Sequence, residues 1–336
     1  FEKGEYAIGD HEYEKIKKKL ISEDIFWHRG IWRSGGFKLI KKIYDFGSSM
    51  IKASKLIKKY KVDTIYSEAF PGAIMGHHLA KIFGIPHMVH SFEPHTQYMI
   101  EAGVWHNKSW EAVLLHQYEK IIAKNCSYIF TATKAMMTRI EGWGSKAQLV
   151  RVPSCVDTNH FRFSDTDRLE KRKSLGVNQE TTVILYLGKF GGMYMDEEAF
   201  SFFQMIYKKL KENAFFNIVT HDDKSSIEQS MQAYGLPQSS YEITRAKREE
   251  VPALISASDV GFVAVRQKPG KRFCSPIKDG EYWSCGLPII IPKGISDDYI
   301  FAEEKKIGVV LKDTSNKSMD LAIDEMLSLL NDPLVR

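Results

Sequence analysis

Short β-branched runs bounded by polar, Gly or Pro residues alternate along the chain with longer stretches whose apolar residues recur at helical spacing. In the first half this pattern predicts strands over Asp63–Ser67, His87–Phe92, Tyr128–Ala132 and Gln148–Val152. Helices are predicted near Ile40–Tyr60, Gly72–Phe83, Ser109–Lys124 and Lys134–Glu141. The segment Ser154–Glu180 is polar and turn-rich. After it the alternation restarts, with strands in TTVILYLG, FFNIVT, YEITRA, DVGFVAV, LPIIIP and IGVVL, and helices near Glu197–Asn213, Ser226–Tyr234, Val251–Ala257, Ile277–Trp283 and Ser318–Leu330. Strands that are apolar throughout, separated by helices, belong to parallel sheets covered on both faces. The expected fold class is α/β, with two Rossmann-like, doubly wound parallel-sheet domains facing a cleft: residues 1–155, a linker at 156–180, and residues 181–336. In such sheets ligands bind at the carboxyl ends of the strands, so the cleft is the expected site.

Composition agrees with two cores and narrows the classes. A chain of 336 residues with 43% hydrophobic residues can build more than one domain. Its four cysteines, Cys126, Cys155, Cys274 and Cys285, form no CxxC pair and no dense framework, which points to a reducing, cytoplasmic setting without a zinc site. No apolar run approaches the roughly 20 residues that span a bilayer. The opening FEKGEY reads as the end of a strand, which predicts that the first strand of the first domain is missing from the chain.

Charge changes the picture in one respect. Residues 1–151 hold 23 Lys and Arg against 15 Asp and Glu, a charge of +8 that leaves −3 for the remainder of the overall +5. The lysines concentrate in KIKKK (Lys15–Lys19) and in Lys38–Lys61, where they alternate with Leu, Ile, Met and Tyr as in an amphipathic basic helix. Such a face is either simply solvated or docks on an anionic membrane surface, which would make the protein peripheral on the inner membrane face. Nucleic acid is not expected, because no reader motif or stacking signature accompanies the lysines.

The chemistry concentrates in SPIKDGEYWSCGLPIIIP, Ser275–Pro292, which reads as a loop, a helix and a buried strand. Ser275 is expected to cap the helix with Pro276 at its first position, so that free first-turn N–H groups face the cleft. A phosphate there would meet a helix N-terminus and the charge of Lys278, while Glu281, one turn on, could accept hydrogen bonds from ribose hydroxyls. A second signal is LYLGKFGGMYMDEE, Leu185–Glu198, in which a strand ends at Gly188 and Lys189 and a Gly191-Gly192 turn leads into a helix; glycines allow close backbone approach to phosphates. A third is HSFEPHTQYMIEAGVW, His90–Trp105, which crowds two histidines and a glutamate at a strand end. His77 and His78 fall within a helical pattern and read as structural. No set of side chains shows metal-ligand spacing.

The run Ser-Pro-x-Lys-x-x-Glu-Tyr followed by Cys-Gly-x-Pro resembles retaining GT-B glycosyltransferases, group 1 or family 4-like, of the kind that build bacterial surface polysaccharides. The resemblance spans roughly residues 62–330. It implies transfer of a hexosyl unit from a nucleoside diphosphate sugar to a saccharide or lipid-linked acceptor hydroxyl. Ser275, Pro276, Ile277 and Lys278 would lie by the donor diphosphate and Glu281 by the ribose. Gly188, Lys189, Gly191 and Gly192 would form the first strand-to-helix loop of the donor lobe, facing the diphosphate and the reacting sugar. The resemblance places Glu93 and His95 near the transferred sugar and Ala246 and Lys247 at the nucleotide base. Val156, Asp157 and Phe161 match its interdomain crossing. The expected catalytic set is Lys278, Lys189, Glu93 and His95, with no cofactor beyond the nucleotide sugar and no essential metal. Many members carry a further glutamate eight positions before Glu281, where Phe273 stands here. The alternatives are a nucleotide-sugar epimerase on a similar fold and a non-catalytic sugar-nucleotide-binding subunit.

Overall fold

The computed structural model describes residues 9–28, 38–90 and 93–332. The expected strand end at residues 1–6, and Ser91 and Phe92 at the end of the second predicted strand, lie outside the described residues. The first lobe runs α1 (Asp10–Ile21), α2 (Lys38–Tyr60), β1 (Ile65–Glu68), α3 (Ala69–Phe83), β2 (His87–His90), α4 (His95–Glu101), α5 (Trp110–Asn125), β3 (Tyr128–Thr131), α6 (Lys134–Gly142) and β4 (Gln148–Arg151). Its four strands lie in the order β1-β2-β3-β4, all parallel. One face of this sheet is packed: Val89 and Ile129 join Phe70, Ala73, Met136 and Ile140 in one core cluster. Its other face carries Tyr66, His90 and Phe130, whose rings lie against one another.

His87 shows how an imidazole is accommodated in that core. Its Nε2 lies 2.9 Å from Ser67 Oγ and its Nδ1 3.5 Å from Cys126 Sγ. Burial drives its pKa down to about 4, so it is neutral at pH 7.

The second lobe runs α7 (Asp165–Ser174), β5 (Thr182–Leu187), α8 (Glu197–Leu210), β6 (Ala214–Val219), α9 (Lys224–Ala233), β7 (Tyr241–Thr244), α10 (Val251–Ala257), β8 (Val260–Phe262), α11 (Ile277–Ser284), β9 (Ile289–Pro292), α12 (Asp298–Lys305), β10 (Gly308–Leu311) and α13 (Asn316–Leu330). Its strands are ordered β7-β6-β5-β8-β9-β10 and all pair in parallel. In order of appearance that is 3-2-1-4-5-6, the doubly wound dinucleotide-fold arrangement, with its switch point between β5 and β8. The apolar runs of β6 and β9 are buried at every position, as a sheet covered on both faces requires.

The stretch expected to be a turn-rich linker contains α7, and this helix docks on the second lobe. Ser164 caps it by accepting from the Asp167 N–H, with Asp165 and Asp167 in its first turn and three basic residues in its last. Arg172, only 1% exposed, anchors it by donating to the carbonyls of Ala257 and Thr181 and by pairing with Asp259 at 3.0 Å. A helix held by a buried arginine lacks the apolar stripe by which helices are recognised. No helix among the described residues is long and apolar enough to cross a membrane.

Candidate active site

At the switch point β5 ends at Leu187 and β8 at Phe262, and the diverging loops leave two cavities of about 260 Å³ each. They share Leu187, Gly188 and Lys278 as lining, so they form two arms meeting at the strand end. Gly188 lies at the junction, and a Cβ there would meet nothing within 4 Å: the strand end opens onto space. Gly191 and Gly192, by contrast, line neither arm. Their φ values of 76° and 62° are left-handed, and their turn brings Met193 and Tyr194 back over the first arm, where Tyr194 bridges to Val265. Lys189 is exposed on the rim of the second arm, and its carbonyl accepts a 2.7 Å hydrogen bond from the Tyr186 hydroxyl.

Helix α11 begins at this junction. Its N-cap is Pro276 and its first helical residue Ile277, one position later than expected. Ser275 does not cap it: the Ser275 Oγ accepts from the Ser154 N–H at 2.9 Å, and the Ser154 hydroxyl donates to the Ser275 carbonyl at 2.6 Å, which ties the interlobe crossing to the site. At the start of α11 the Asp279 N–H turns back to the Pro276 carbonyl at 3.3 Å, and the N–H groups of Ile277 and Lys278 have no intrahelical acceptors. Lys278, in that turn, reaches Glu281 Oε2 at 2.8 Å. Glu281 is 2% exposed, and Arg248 Nη1 lies 3.9 Å from its other oxygen.

The second arm is built by Ala246, Arg248, Thr220, His221, Phe161 and Glu281, together with Lys189 and the shared residues. Arg248 lies over the Phe161 ring at 5.1 Å. Lys247 does not line this arm; its N–H donates to Glu250 Oε2 at the start of the next turn. Within the run Ala246-Lys247-Arg248 it is Ala246 and Arg248 that line the arm, and Arg248 is a lining cation that the sequence reading did not single out.

The first arm is walled by Met193, Tyr194, Val263, Ala264, Val265 and Ile277, with Glu93 from the first lobe and Lys271 as its charged lining beside Lys278. Burial raises the Glu93 pKa, opposed by the charge of Lys271 and by the Tyr98 hydroxyl. His95 lines neither arm. It packs between Phe70 and Trp105, at centroid distances of 5.4 and 5.7 Å, and burial lowers its pKa.

Phe273 is also absent from both arms. The 3-10 turn Pro269–Phe273 is clamped to the first lobe, with the Gly270 N–H donating to Glu101 Oε1 at 2.7 Å and Lys268 Nζ to the Glu101 carbonyl at 3.0 Å. A Cβ on Gly270 would sit 2.6 Å from the Glu101 carboxylate, so only glycine allows this approach. Phe273 follows the clamp into the first-lobe core, fully buried. Lys271, two residues earlier and only 7% exposed, is the side chain that faces the first arm. Within the first turn of α11, Asp279 is buried and its pKa is raised well above the usual carboxylate value by burial and by Asp298, itself raised by burial. Among the described residues no group of three or more His, Cys, Asp or Glu could hold a metal ion.

Residues 167–333, the second lobe, match the sequence model of the family described as glycosyl transferases group 1. No curated protein matches this sequence. Among solved structures the chain is similar to Anabaena HepE, both in complex with UDP (TM-score 0.68, 14% identity, covering 96% of this chain and 81% of that one) and in complex with UDP-glucose (0.66, 13%, 97% and 83%). It is also similar to sucrose-phosphate synthase from Thermosynechococcus elongatus (0.65, 14%, 96% and 85%). A third likeness is to WaaG, a glycosyltransferase involved in lipopolysaccharide biosynthesis (0.62, 10%, 98% and 90%). With a group 1 domain for its second lobe and the two-sheet architecture of these structures over nearly its whole length, the chain is a glycosyltransferase of the GT-B fold.

Proposed function

We propose that the protein transfers a hexosyl unit from a nucleoside diphosphate sugar, with retention of configuration, to the hydroxyl of a saccharide or lipid-linked acceptor in bacterial surface glycan synthesis. The observation that carries this reading is the meeting of two arms at Gly188 and Lys278, over the N-terminus of α11. The diphosphate lies at that junction, where backbone N–H groups and Lys278 meet its charge. The nucleoside lies in the second arm, its ribose hydroxyls on Glu281, and the sugar in the first arm. The HepE complexes with UDP and UDP-glucose favour uridine as the base.

Departure of the diphosphate is the step these residues assist. Charge develops on the leaving oxygens as the glycosidic bond breaks, and Lys278, Lys189 and Arg248 supply positive charge there. Three cations and a helix terminus suffice for a diphosphate, so the reading includes no essential metal. The acceptor enters from the first lobe, past Glu93.

An anionic bilayer at the cytoplasmic face is proposed as the second partner. On α2 the exposed Ile40, Ile43, Tyr44 and Ile51 fall on one stripe at i, i+3, i+4 and i+11, and Lys55 and Lys58 continue that stripe. This helix presents apolar and cationic groups together.

A thermal-shift screen of UDP, GDP, ADP and dTDP tests the donor site. At a hundredfold excess over Kd a ligand adds about 2.7 kcal/mol to stability, so UDP is expected to raise Tm by several degrees. No shift with any of the four would overturn the proposal.

A further inference from the structure

The two arms differ in what they offer a ligand. The nucleotide arm sets Lys189, Thr220, His221, Arg248, Lys278 and Glu281 among Phe161, Val219 and Val251. The sugar arm is walled by Met193, Val263, Val265 and Ile277, and its charged groups beyond the shared Lys278 are Glu93 and Lys271. Lys271 is 93% buried, yet no carboxylate lies within ion-pair distance of its ammonium among the described residues; its contacts are Met193 Sδ at 3.2 Å and the Tyr98 ring at 5.0 Å. A thioether is a weak acceptor, so a buried ammonium satisfied only this far is under-partnered. Its position is fixed, because its carbonyl accepts from the Ser296 N–H and its turn is clamped to Glu101. Tyr282, fully buried in the same wall, likewise makes no hydrogen bond of good geometry through its hydroxyl.

A plain hexose differs from its acetamido counterpart only by a hydroxyl at the substituted carbon, which offers no methyl to the apolar wall and is too short to meet both Glu93 and Lys271. A uronate would place its carboxylate beside Glu93. An acetamido group fits the arm: its N–H meets a carboxylate, its carbonyl meets an ammonium, and its methyl meets a thioether and aliphatic side chains. We propose that the donor is an N-acetylamino sugar nucleotide and that Lys271 and Glu93 determine this specificity by bracketing the acetamido group. The inference rests on the donor-site reading above, with the sugar in the first arm.

The test compares UDP, UDP-N-acetylglucosamine, UDP-N-acetylgalactosamine, UDP-glucose, UDP-galactose and UDP-glucuronate, by thermal shift and by donor hydrolysis without acceptor. One of the acetamido donors is expected to exceed its plain hexose counterpart in kcat/KM by about tenfold to a hundredfold, the range over which such pockets discriminate. Lys271→Met, which keeps the length and removes the charge, is expected to bring that ratio close to one while UDP still shifts Tm. Equal use of plain and acetamido donors, a preference for the glucuronate, or a ratio unchanged in Lys271→Met would each overturn the specificity inference and leave the donor site standing. Absence of any shift with UDP itself would overturn the uridine donor reading, and the inference with it.

Discussion

Lys278 Nζ sits 2.8 Å from Glu281 Oε2, so the cation expected at the diphosphate and the carboxylate expected at the ribose are paired with each other across one turn of α11. The pairing is asymmetric, since the lysine side chain is 37% exposed and the glutamate only 3%. Lys278 can therefore leave toward an incoming anion, while Glu281 stays where burial and Arg248 hold it.

Replacing Lys278 with Ala removes a positive charge from the leaving group, and losses at such positions run to about 10²- to 10³-fold in kcat. The same change leaves the Glu281 carboxylate buried without its nearest cation, which costs stability as well. Donor turnover and Tm, measured together, separate the two effects. Lys278→Arg should keep most of the stability and recover only part of the rate. A Lys278→Ala variant with unchanged kcat would remove this lysine from the reaction.

The motif that led to α11 was legible because it stacks several independent signals: a helix start, a first-turn lysine, a glutamate one turn on and a fully apolar strand after it. The doubly wound order was legible for a similar reason, since strands buried on both faces read as continuous apolar runs. Side chains that act across the lobes left no such trace. Phe273 reads in sequence as a substitution at a sugar contact, yet the clamp of Gly270 on Glu101 swings it into the first-lobe core and turns Lys271 toward the arm. His95 and Lys247 stand one or two residues from the side chains that do line the cavities, Glu93 and Arg248. Periodicity fixes an element, but a loop's side-chain directions depend on what the loop is pinned to. The helix at Asp165–Ser174 was hidden by its own chemistry, because it docks through Arg172.

Phe273 carries a prediction of its own. Its ring lies among Phe70, Ile129, Met136 and Ile140, with Arg139 over one side at 5.0 Å. A second-lobe residue thus completes the first-lobe core. Phe273→Ala should cost about 3–5 kcal/mol, the usual range for truncating a buried phenylalanine. Because the ring couples the lobes, calorimetry is expected to show one transition for the parent and two for the variant, with the first-lobe transition shifted down. A variant that melts within a degree of the parent would show that the ring is not an anchor.

The carboxyl pair Asp279 and Asp298 sets a pH dependence whose sign can be worked out. Both pKa values are raised in the folded protein, chiefly by burial, with the neighbouring carboxyl adding to the rise at Asp279, while in the unfolded chain both groups ionise near the usual carboxylate value. Two carboxyls this close titrate as a pair, and the folded pair holds on to a proton that the unfolded chain has released. Where the folded state binds more protons, stability falls as pH rises. The pair therefore costs nothing below the ordinary carboxylate pKa, and its cost grows with pH until the folded pair itself ionises. Asp279→Asn replaces the retained proton with an amide that donates to Asp298 at any pH. The variant and parent should melt together near pH 4, and the variant should melt higher from pH 6 upward, by a margin consistent with about 1–3 kcal/mol for restoring a buried hydrogen-bonding group. Because α11 opens the site, the same substitution should also flatten the alkaline limb of the activity profile. Parallel Tm curves for the two proteins from pH 4 to 8 would rule out a shared proton at this position.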